Sequence, residues 1–498
     1  MIRHLYSHLI WEKRDIIRQS TGQCDCDCAC TFTLPANPGP IAHSSDGLLY
    51  KSPSLQAQPL TEKHSVVFDA VQGSIAVADL ETVALLDDFA FPVQAESVLD
   101  ANECGSHVPF EDVLKGLVSL GFLVSPGAGT APVIGISSIL SAWLHLTDRC
   151  NLRCAYCYLP HAPVDMNANI GHDVVNAVFR SAVANGYQAV KLKYAGGEPL
   201  LRFPLIKNLH QHARTLARKY DLDLDGVVLS NGTLLTTEMV ETMQHLGLRL
   251  MISLDGVGEY HDCHRSFPDS SGSFDSVTQA IDLALGNRLA PDISITISGR
   301  NAAGLAQVVG WVLDRDLPFS INFYRENSQS ARQTDLQLED TRIIMGMLEA
   351  YAVIEAHLPH HSLLASLIDR GNLAAPHLRP CNVGQSYLAF DVQGRVAKCQ
   401  MDMMRTVTSC HDPDPLKTLS KSTKGLQNPS VDAKIKCQNC QWRYWCAGGC
   451  PLQSYLANGC YDGKSPYCTI YQALYPEIIR LEGLRLLCQA ERSESRVT

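Results

Sequence analysis

The chain has 498 residues, 46% of them apolar and 18% charged, with a formal net charge of −10 and 19 cysteines. This is a globular composition for roughly two to four domains, large enough to complete a core without disulfide staples and too acidic for a protein built to grip nucleic-acid phosphates. The start lacks a secretory h-region, and the longest uncharged stretch, 123–147, is interrupted by Pro126 and Pro132. The sequence therefore predicts a soluble cytoplasmic protein with neither nucleic acid nor membrane as partner. In a reducing compartment, this many cysteines point to metal or redox chemistry before disulfides.

Taken in chain order, residues 1–46 read as a flexible tail. Cys24, Cys26, Cys28 and Cys30 alternate within it, which suits either a metal site or an unstructured thiol-rich tail. Residues 47–126 read as a small separate domain. It has a strand at Val66–Phe68, a helix over Ala76–Ala90, a second helical stripe at Val113, Leu114, Leu117 and Leu120, and a strand at Phe122–Val124. That outline is winged-helix-like, but the segment is acidic and lacks a basic recognition helix for DNA.

Residues 138–355 alternate strands and helices. Predicted strands are Trp143–Thr147, Ala189–Tyr194, Gly226–Ser230, Leu248–Leu254, Ile293–Ser298 and Phe319–Phe323; predicted helices include Pro204–Tyr220, Thr236–Leu246 and Ala302–Asp314. Six such units make an α/β fold with a parallel sheet, either an open barrel or a doubly wound sheet, with active residues at the carboxyl ends of the strands. Residues 356–380 read as a linker. Residues 381–470, rich in Cys, Gly and aromatics, read as a small cluster-stapled domain, and 471–498 as a C-terminal helix.

Cys150, Cys154 and Cys157, in DRCNLRCAYCYLP, follow the first barrel strand directly. Three thiolates on one loop can hold three irons of a four-iron cubane and leave the fourth open. A structural zinc site is the alternative, with a nearby fourth ligand such as His161. The spacing, with Tyr156 before the third cysteine, resembles the signature loop of the radical S-adenosylmethionine superfamily. Gly196-Gly197-Glu198-Pro199, after the next strand, matches that family's second motif, which contacts the methionine amino group. Glycines permit close backbone approach, and a carboxylate and carbonyls suit an ammonium. The resemblance further implies that Ser253 and Arg265 contact the cofactor's carboxylate and ribose, with Asp255, in the same ISLDG segment, a further cofactor-binding candidate. Asn231 is a lighter candidate, equally suited to a turn or helix cap, and Tyr324 to the barrel mouth or the core.

The later cysteines run Cys381, Cys399, Cys437, Cys440, Cys446, Cys450 and Cys468, with Gly394 before Cys399. This order resembles the SPASM domain. The resemblance implies one auxiliary [4Fe–4S] cluster on Cys437, Cys440, Cys446 and Cys468, and another on Cys381, Cys399 and Cys450. Relatives place a fourth cysteine where Tyr387 stands here, so the second site is either open or completed by another group such as Cys410 or Cys460. Sulfatase-maturing relatives carry an Asp after the Cys399 position as a proposed base. Gln400 stands there, and Asp402, two residues on, is the candidate catalytic carboxylate. Cys104, Cys263 and Cys488 read as ordinary thiols.

The resemblance as a whole implies a partial (β/α)6 TIM-like barrel with an N-terminal winged-helix-like domain and a C-terminal SPASM domain. It implies S-adenosyl-L-methionine and three [4Fe–4S] clusters, one radical-initiating and two auxiliary, and an electron donor such as flavodoxin or ferredoxin. The expected activity is hydrogen abstraction from a ribosomally made precursor peptide, leader plus core, with the N-terminal domain binding the leader by strand addition. The expected product is a side-chain cross-link. Sulfatase-type protein maturation and a non-catalytic iron–sulfur sensor or scaffold are the alternatives.

Overall fold

A computed structural model describes residues 2–5, 8–12, 47–102, 110–127, 132, 134–135 and 137–494. The chain begins with strands β1 (Ile2–Leu5), β2 (Leu9–Glu12), β3 (Leu48–Lys51), β4 (Leu55–Pro59), β5 (His64–Asp69) and β6 (Ser74–Asp79). Five of them form an antiparallel sheet in the order β1-β2-β6-β5-β4. The first residues of the expected flexible tail are thus strands: Leu9 and Ile10 pair with Ala78 and Val77, because their apolar side chains are buried there. Cys24, Cys26, Cys28, Cys30 and Cys104 lie outside the described residues.

The helix expected over Ala76–Ala90 is also corrected. Residues 74–79 form β6, and helix α1 occupies only Leu80–Asp88. Asp79 divides the two, accepting the Thr82 amide at 2.8 Å as an N-cap. Then come β7 (Val93–Gln94), α2 (Ala95–Asn102), α3 (Phe110–Ser119) and β8 (Leu123–Val124), with β7, β3 and β8 in a small antiparallel sheet.

Period-two alternation on β5 ties this region to the rest of the protein. Val67 joins a core with Leu85, Leu86, Val113 and Leu117. Val66 and Phe68 face the other way into the main core, where the Phe68 ring stacks on Trp442 at 5.7 Å and on Trp445 at 6.0 Å. The N-terminal unit is therefore anchored to the body rather than separate from it.

The barrel strands are β9 (Ile139–His145), β10 (Ala189–Ala195), β11 (Asp223–Ser230), β12 (Leu248–Ser253), β13 (Asp292–Ile297) and β14 (Phe319–Phe323). They are parallel and lie in sequential order. Of the two α/β arrangements expected, sequential order selects the singly wound barrel, since right-handed crossovers in one direction put every helix on one face. The helices are α4 (Ala168–Ala184), α5 (Phe203–Tyr220), α6 (Thr237–Leu246), α7 (Glu259–Asp262), α8 (Phe274–Gly286), α9 (Leu305–Leu313) and α10 (Asp340–Ala356). On β9, Leu140, Ala142 and Leu144 pack toward the helical layer, while Trp143 lies in a second cluster with Cys381, Cys399, Cys450 and Tyr387.

The expected linker 356–380 is packed rather than loose. Leu363, Leu364, Leu367, Ile368 and Leu373 are buried. The Ser362 hydroxyl and the Leu363 amide each donate to Glu482 at 2.9 Å. Beyond it, β15 (Tyr387–Phe390) pairs parallel with β9, and β16 (Arg395–Ala397) and β17 (Thr408–Ser409) extend the sheet antiparallel to nine strands. The remaining helices are α11 (Pro415–Lys421), α12 (Arg443–Cys446), α13 (Pro451–Asn458) and α14 (Cys468–Glu494). Leu486 and Ala490 of α14 pack on Ile10 and Val77, closing the body against the N-terminal sheet. Among the described residues, no helix is long and apolar enough to cross a membrane.

Candidate functional site

The carboxyl ends of the six parallel strands meet around a cavity open to solvent. Cys150, Cys154 and Cys157, on the loop after β9, line it together with Gly196 and Gly197 after β10, Asn231 after β11, Ser253 at the end of β12, and Tyr324 after β14. Strand polarity alone gathers these residues, which are far apart in the chain.

The cysteine loop is pinned along its length. The Arg153 and Ala155 amides donate to the Ser266 and His264 carbonyls at 2.8 Å each. Gln333 Nε2 donates to the Ala155 carbonyl at 2.9 Å and Asn327 Nδ2 to the Tyr156 carbonyl at 3.1 Å. Asn231 Nδ2 donates to Asn151 Oδ1 at 2.9 Å and lies 3.9 Å from the Cys150 sulfur. Its own Oδ1 accepts the Thr233 amide at 3.0 Å, so Asn231 both makes a turn and steadies the loop.

Glycine at 196 and 197 answers a steric demand. A Cβ on Gly196 would stand 2.5 Å from the Thr147 carbonyl oxygen, and one on Gly197 2.2 Å from that of Arg149. Gly196 also has φ +146°. The close approach lets the Gly197 and Glu198 amides donate to those two carbonyls at 2.7 and 2.8 Å. A Gly197→Ala substitution should push the cysteine loop off β10, costing about 1–3 kcal/mol by the usual scale of overpacking; urea unfolding compared with wild type measures it.

Glu198 is placed differently from what its motif suggests. It is fully buried and accepts from the Leu200 amide at 2.9 Å, the Ser230 hydroxyl at 2.8 Å and the Asn231 amide at 2.8 Å. Burial raises its pKa, and the Asn231 and Leu200 amides offset part of that rise. Its carboxylate ties the ends of β10 and β11 together, which leaves the Gly196 and Gly197 backbone as the part of the motif lining the cavity. Pro199 begins a short 3-10 turn behind it.

Asp255 organises the next wall. It accepts from Tyr156 Oη at 2.5 Å, Arg265 Nε at 2.7 Å and the Thr296 amide at 2.8 Å. Burial disfavours its charge, but the Arg265 guanidinium and then His264 outweigh burial and hold the pKa below the ordinary carboxylate value. Arg265 also lies over the Tyr156 ring at 5.5 Å. Two buried histidines complete this layer: His264 Nε2 meets Ser298 Oγ at 2.7 Å, and His261 Nε2 meets Ser273 Oγ at 3.0 Å.

Burial lowers the His264 pKa from 6.5 to about 4. The unfolded chain then binds this proton more readily than the folded one between those values. Stability is full above about pH 6.5 and should fall toward pH 4, by up to about 3 kcal/mol from this one group. Urea midpoints at pH 7 and pH 5 check the sign.

Burial likewise pushes the Cys150 thiol up to about 11 and Cys154 up to about 12, so bound metal charge would be needed to ionise them near neutrality. A single zinc ion requires its thiolates close together around bonds of about 2.3 Å. Among the described residues, the three cysteine sulfurs of the loop are not all within 4.8 Å of one another; the set of three possible ligands that is so grouped is His8, Asp79 and Glu81.

The later cysteines fall into two neighbourhoods. Cys381, Cys399 and Cys450 are buried in one apolar cluster. Burial is the main cause of the raised Cys399 pKa, about 12, with Cys450 and Cys381 adding to it. Cys437, Cys440, Cys446 and Cys468 form the other: Cys440 and Cys468 act on Cys437, and Cys468 and Cys437 act on Cys446. Cys410, one of the expected completing groups, is buried instead in the helical layer, with its sulfur beside Gly394. Cys460 and Cys263 are exposed and Cys488 is half-buried.

Residues 144–309, which contain the cysteine loop and the Gly196-Gly197-Glu198-Pro199 turn, match the model of the radical SAM superfamily. That segment is a radical SAM domain. The chain is 25% identical over 354 residues to the AdoMet-dependent heme synthase of Methanosarcina barkeri, covering 66% of this chain and 95% of that one. It is 30% identical over 141 residues to the serine-type anaerobic sulfatase-maturating enzyme of Bacteroides thetaiotaomicron, covering 27% of this chain and 33% of that enzyme. The solved structure of anSMEcpe with bound AdoMet and the Cp18Cys peptide matches 69% of this chain and 98% of its own at 18% identity, with a TM-score of 0.55. That likeness is one of fold.

The radical SAM cavity also includes residues that sequence reasoning passed over: Trp143, Tyr158, Arg325, Arg370 and Met401. No motif marks them, because each reaches the cavity from a separate segment. Gln400 lines the cavity, whereas Asp402 does not; its carboxylate accepts from Arg405 Nε at 2.7 Å and the Leu426 amide at 3.1 Å. Tyr387, at the expected cysteine position, is fully buried and donates to Gln400 Oε1 at 2.9 Å.

Proposed function

We propose that this chain abstracts hydrogen from a ribosomally made precursor peptide and forms a side-chain cross-link. The observation that carries the reading is the continuity of the cavity: it runs from the Cys150, Cys154 and Cys157 loop to Arg325, Arg370 and Gln400 beside the Cys381, Cys399 and Cys450 group. A substrate there would touch the site of radical formation and lie near a site able to take up an electron. The anSMEcpe fold, solved with a peptide, is matched almost completely by about two thirds of this chain. The N-terminal unit has a five-stranded sheet with β1 and β4 outermost among the described residues, which suits leader binding by strand addition.

When bound, a [4Fe–4S] cluster and S-adenosyl-L-methionine supply a 5′-deoxyadenosyl radical and methionine. In this reading Cys150, Cys154 and Cys157 hold the cluster, and the seven later cysteines hold two auxiliary clusters. The Gly196 and Gly197 backbone, Ser253, Asn231 and Arg265 orient the cofactor. Asp255 neutralises Arg265 and fixes Tyr156 in the loop. Leu159, Leu229, Phe323 and Met401 give the cavity apolar wall that limits water near the reacting carbon. A flavodoxin or ferredoxin supplies the electron. Co-expression with a neighbouring precursor peptide, followed by mass spectrometry, should show loss of two hydrogens within one peptide; an unchanged peptide in the presence of 5′-deoxyadenosine production would overturn the peptide reading.

A second reading is supported by the heme synthase likeness, which spans 95% of that relative: a tetrapyrrole in place of the peptide.

A further inference from the structure

Three arginines line the cavity, Arg265, Arg325 and Arg370, and among the described residues no Asp or Glu does. Arg265 is matched by Asp255 behind the wall. Arg325 and Arg370 stand together, and one carboxylate, Asp369, serves the electrostatics of both: Arg325 Nη2 donates to Asp369 Oδ1 at 2.5 Å, and Asp369 also acts on Arg370. Cys450 also acts on both, and Cys381 on Arg370, so the two guanidinium groups stand between the cysteine group and the cavity.

The neutral groups beside them are donors too. Tyr387 Oη donates to Gln400 Oε1 at 2.9 Å and the Cys399 thiol lies 3.6 Å from the same oxygen. Trp143 Nε1 and Arg325 Nε are buried without a hydrogen-bond partner, and both residues line the cavity. Buried donors normally find acceptors. Arg370 adds a backbone signal, with φ +59° in the left-handed region that a residue bearing a Cβ seldom adopts.

We propose that Arg325 and Arg370 form a carboxylate-binding subsite where the cavity meets the Cys381, Cys399 and Cys450 group. Guanidinium groups pair with carboxylates through a planar fork of N–H donors. The inference rests on the cavity being the substrate chamber, and it defines the substrate class: a molecule that presents a carboxylate, whether an acidic peptide side chain or a tetrapyrrole propionate.

The test uses the reconstituted full chain, immobilised without oxygen. One arm offers a pool of synthetic peptides containing Asp or Glu and a matched pool with Asn or Gln. The other offers coproporphyrin III and its tetramethyl ester. In one arm the acid should be retained about ten- to a hundredfold better than its neutral partner, and the arm that responds identifies the source. Arg325→Gln and Arg370→Gln should each reduce that preference, and Arg370→Lys should keep part of it. Equal retention of acid and neutral forms in both arms by wild type overturns the proposal, and needs no variant to fold. An acid preference undiminished in both glutamine variants overturns it as well, and leaves the arginines as partners of the cysteine group. Absence of 5′-deoxyadenosine from wild type with dithionite and S-adenosyl-L-methionine would defeat the catalytic reading while the binding result stood.

Discussion

Replacing Cys150, Cys154 and Cys157 together by alanine should reduce 5′-deoxyadenosine formation to the uncatalysed background, a loss of at least about 10⁶-fold on the usual scale of enzymatic acceleration. These are the thiols on the loop at the carboxyl end of β9, and they line the cavity with the Gly196–Gly197 turn. The Cys150 sulfur accepts from the Leu152 amide at 3.4 Å, but the Arg153 and Ala155 amides, the Ala155 and Tyr156 carbonyls and the Asn231–Asn151 pair are held by contacts that do not involve the sulfurs. The variant should therefore keep its fold and its seven later cysteines. The readout is chromatography of the reaction with dithionite and S-adenosyl-L-methionine, alongside iron content, which should fall by about four per chain. Continued 5′-deoxyadenosine production by the triple variant would show that the radical site lies elsewhere in the chain.

Asp255→Ala should destabilise the folded protein by about 3–5 kcal/mol, the scale for removing one partner of a buried ion pair. Asp255 is 1% exposed, and the change removes the acceptor for Arg265 Nε, Tyr156 Oη and the Thr296 amide at once. The guanidinium left behind is buried, and His264 and His261 nearby supply no compensating negative charge. Asp255→Asn should cost less, since it keeps an acceptor oxygen while losing the charge. Denaturant unfolding of both variants tests the order. Equal stability of Asp255→Ala and wild type would mean that Arg265 finds another partner. Because Tyr156 sits between Cys154 and Cys157, the Ala variant should also retain less iron.

Both expectations begin with residues legible in the sequence. Cysteine spacing placed the loop, and runs such as Leu248–Ser253 and Phe319–Phe323 announced their strands because a parallel strand covered by helices is apolar along its length. The region 74–90 was harder. Ala76 to Ala78 satisfies a helical stripe as well as an alternating one, and the pairing of Val77 and Ala78 with Ile10 and Leu9 decides for the strand. Residues 356–380 carry no long periodic pattern, so their burial against α14 was invisible until Glu482 was seen to hold them. Glu198 shows a different limit. Its motif gave its position, but two of its three hydrogen bonds come from Ser230 and Asn231, more than thirty residues away.

The sequence by itself determined the radical SAM resemblance, the six strands of the barrel, the position of the cysteine loop, and the ten cysteines that resemble cluster ligands. These are local properties, set by spacing and by the two-residue and helical periods of apolar side chains. Only the tertiary structure decided that Cys410 lies away from Cys381, Cys399 and Cys450, that Asp402 is bound to Arg405 off the cavity, and that Arg325, Arg370, Gln400 and Trp143 share one wall. Such convergence is set by strand order and by the pairing of β15 with β9, and contacts between segments hundreds of residues apart leave no period in either one.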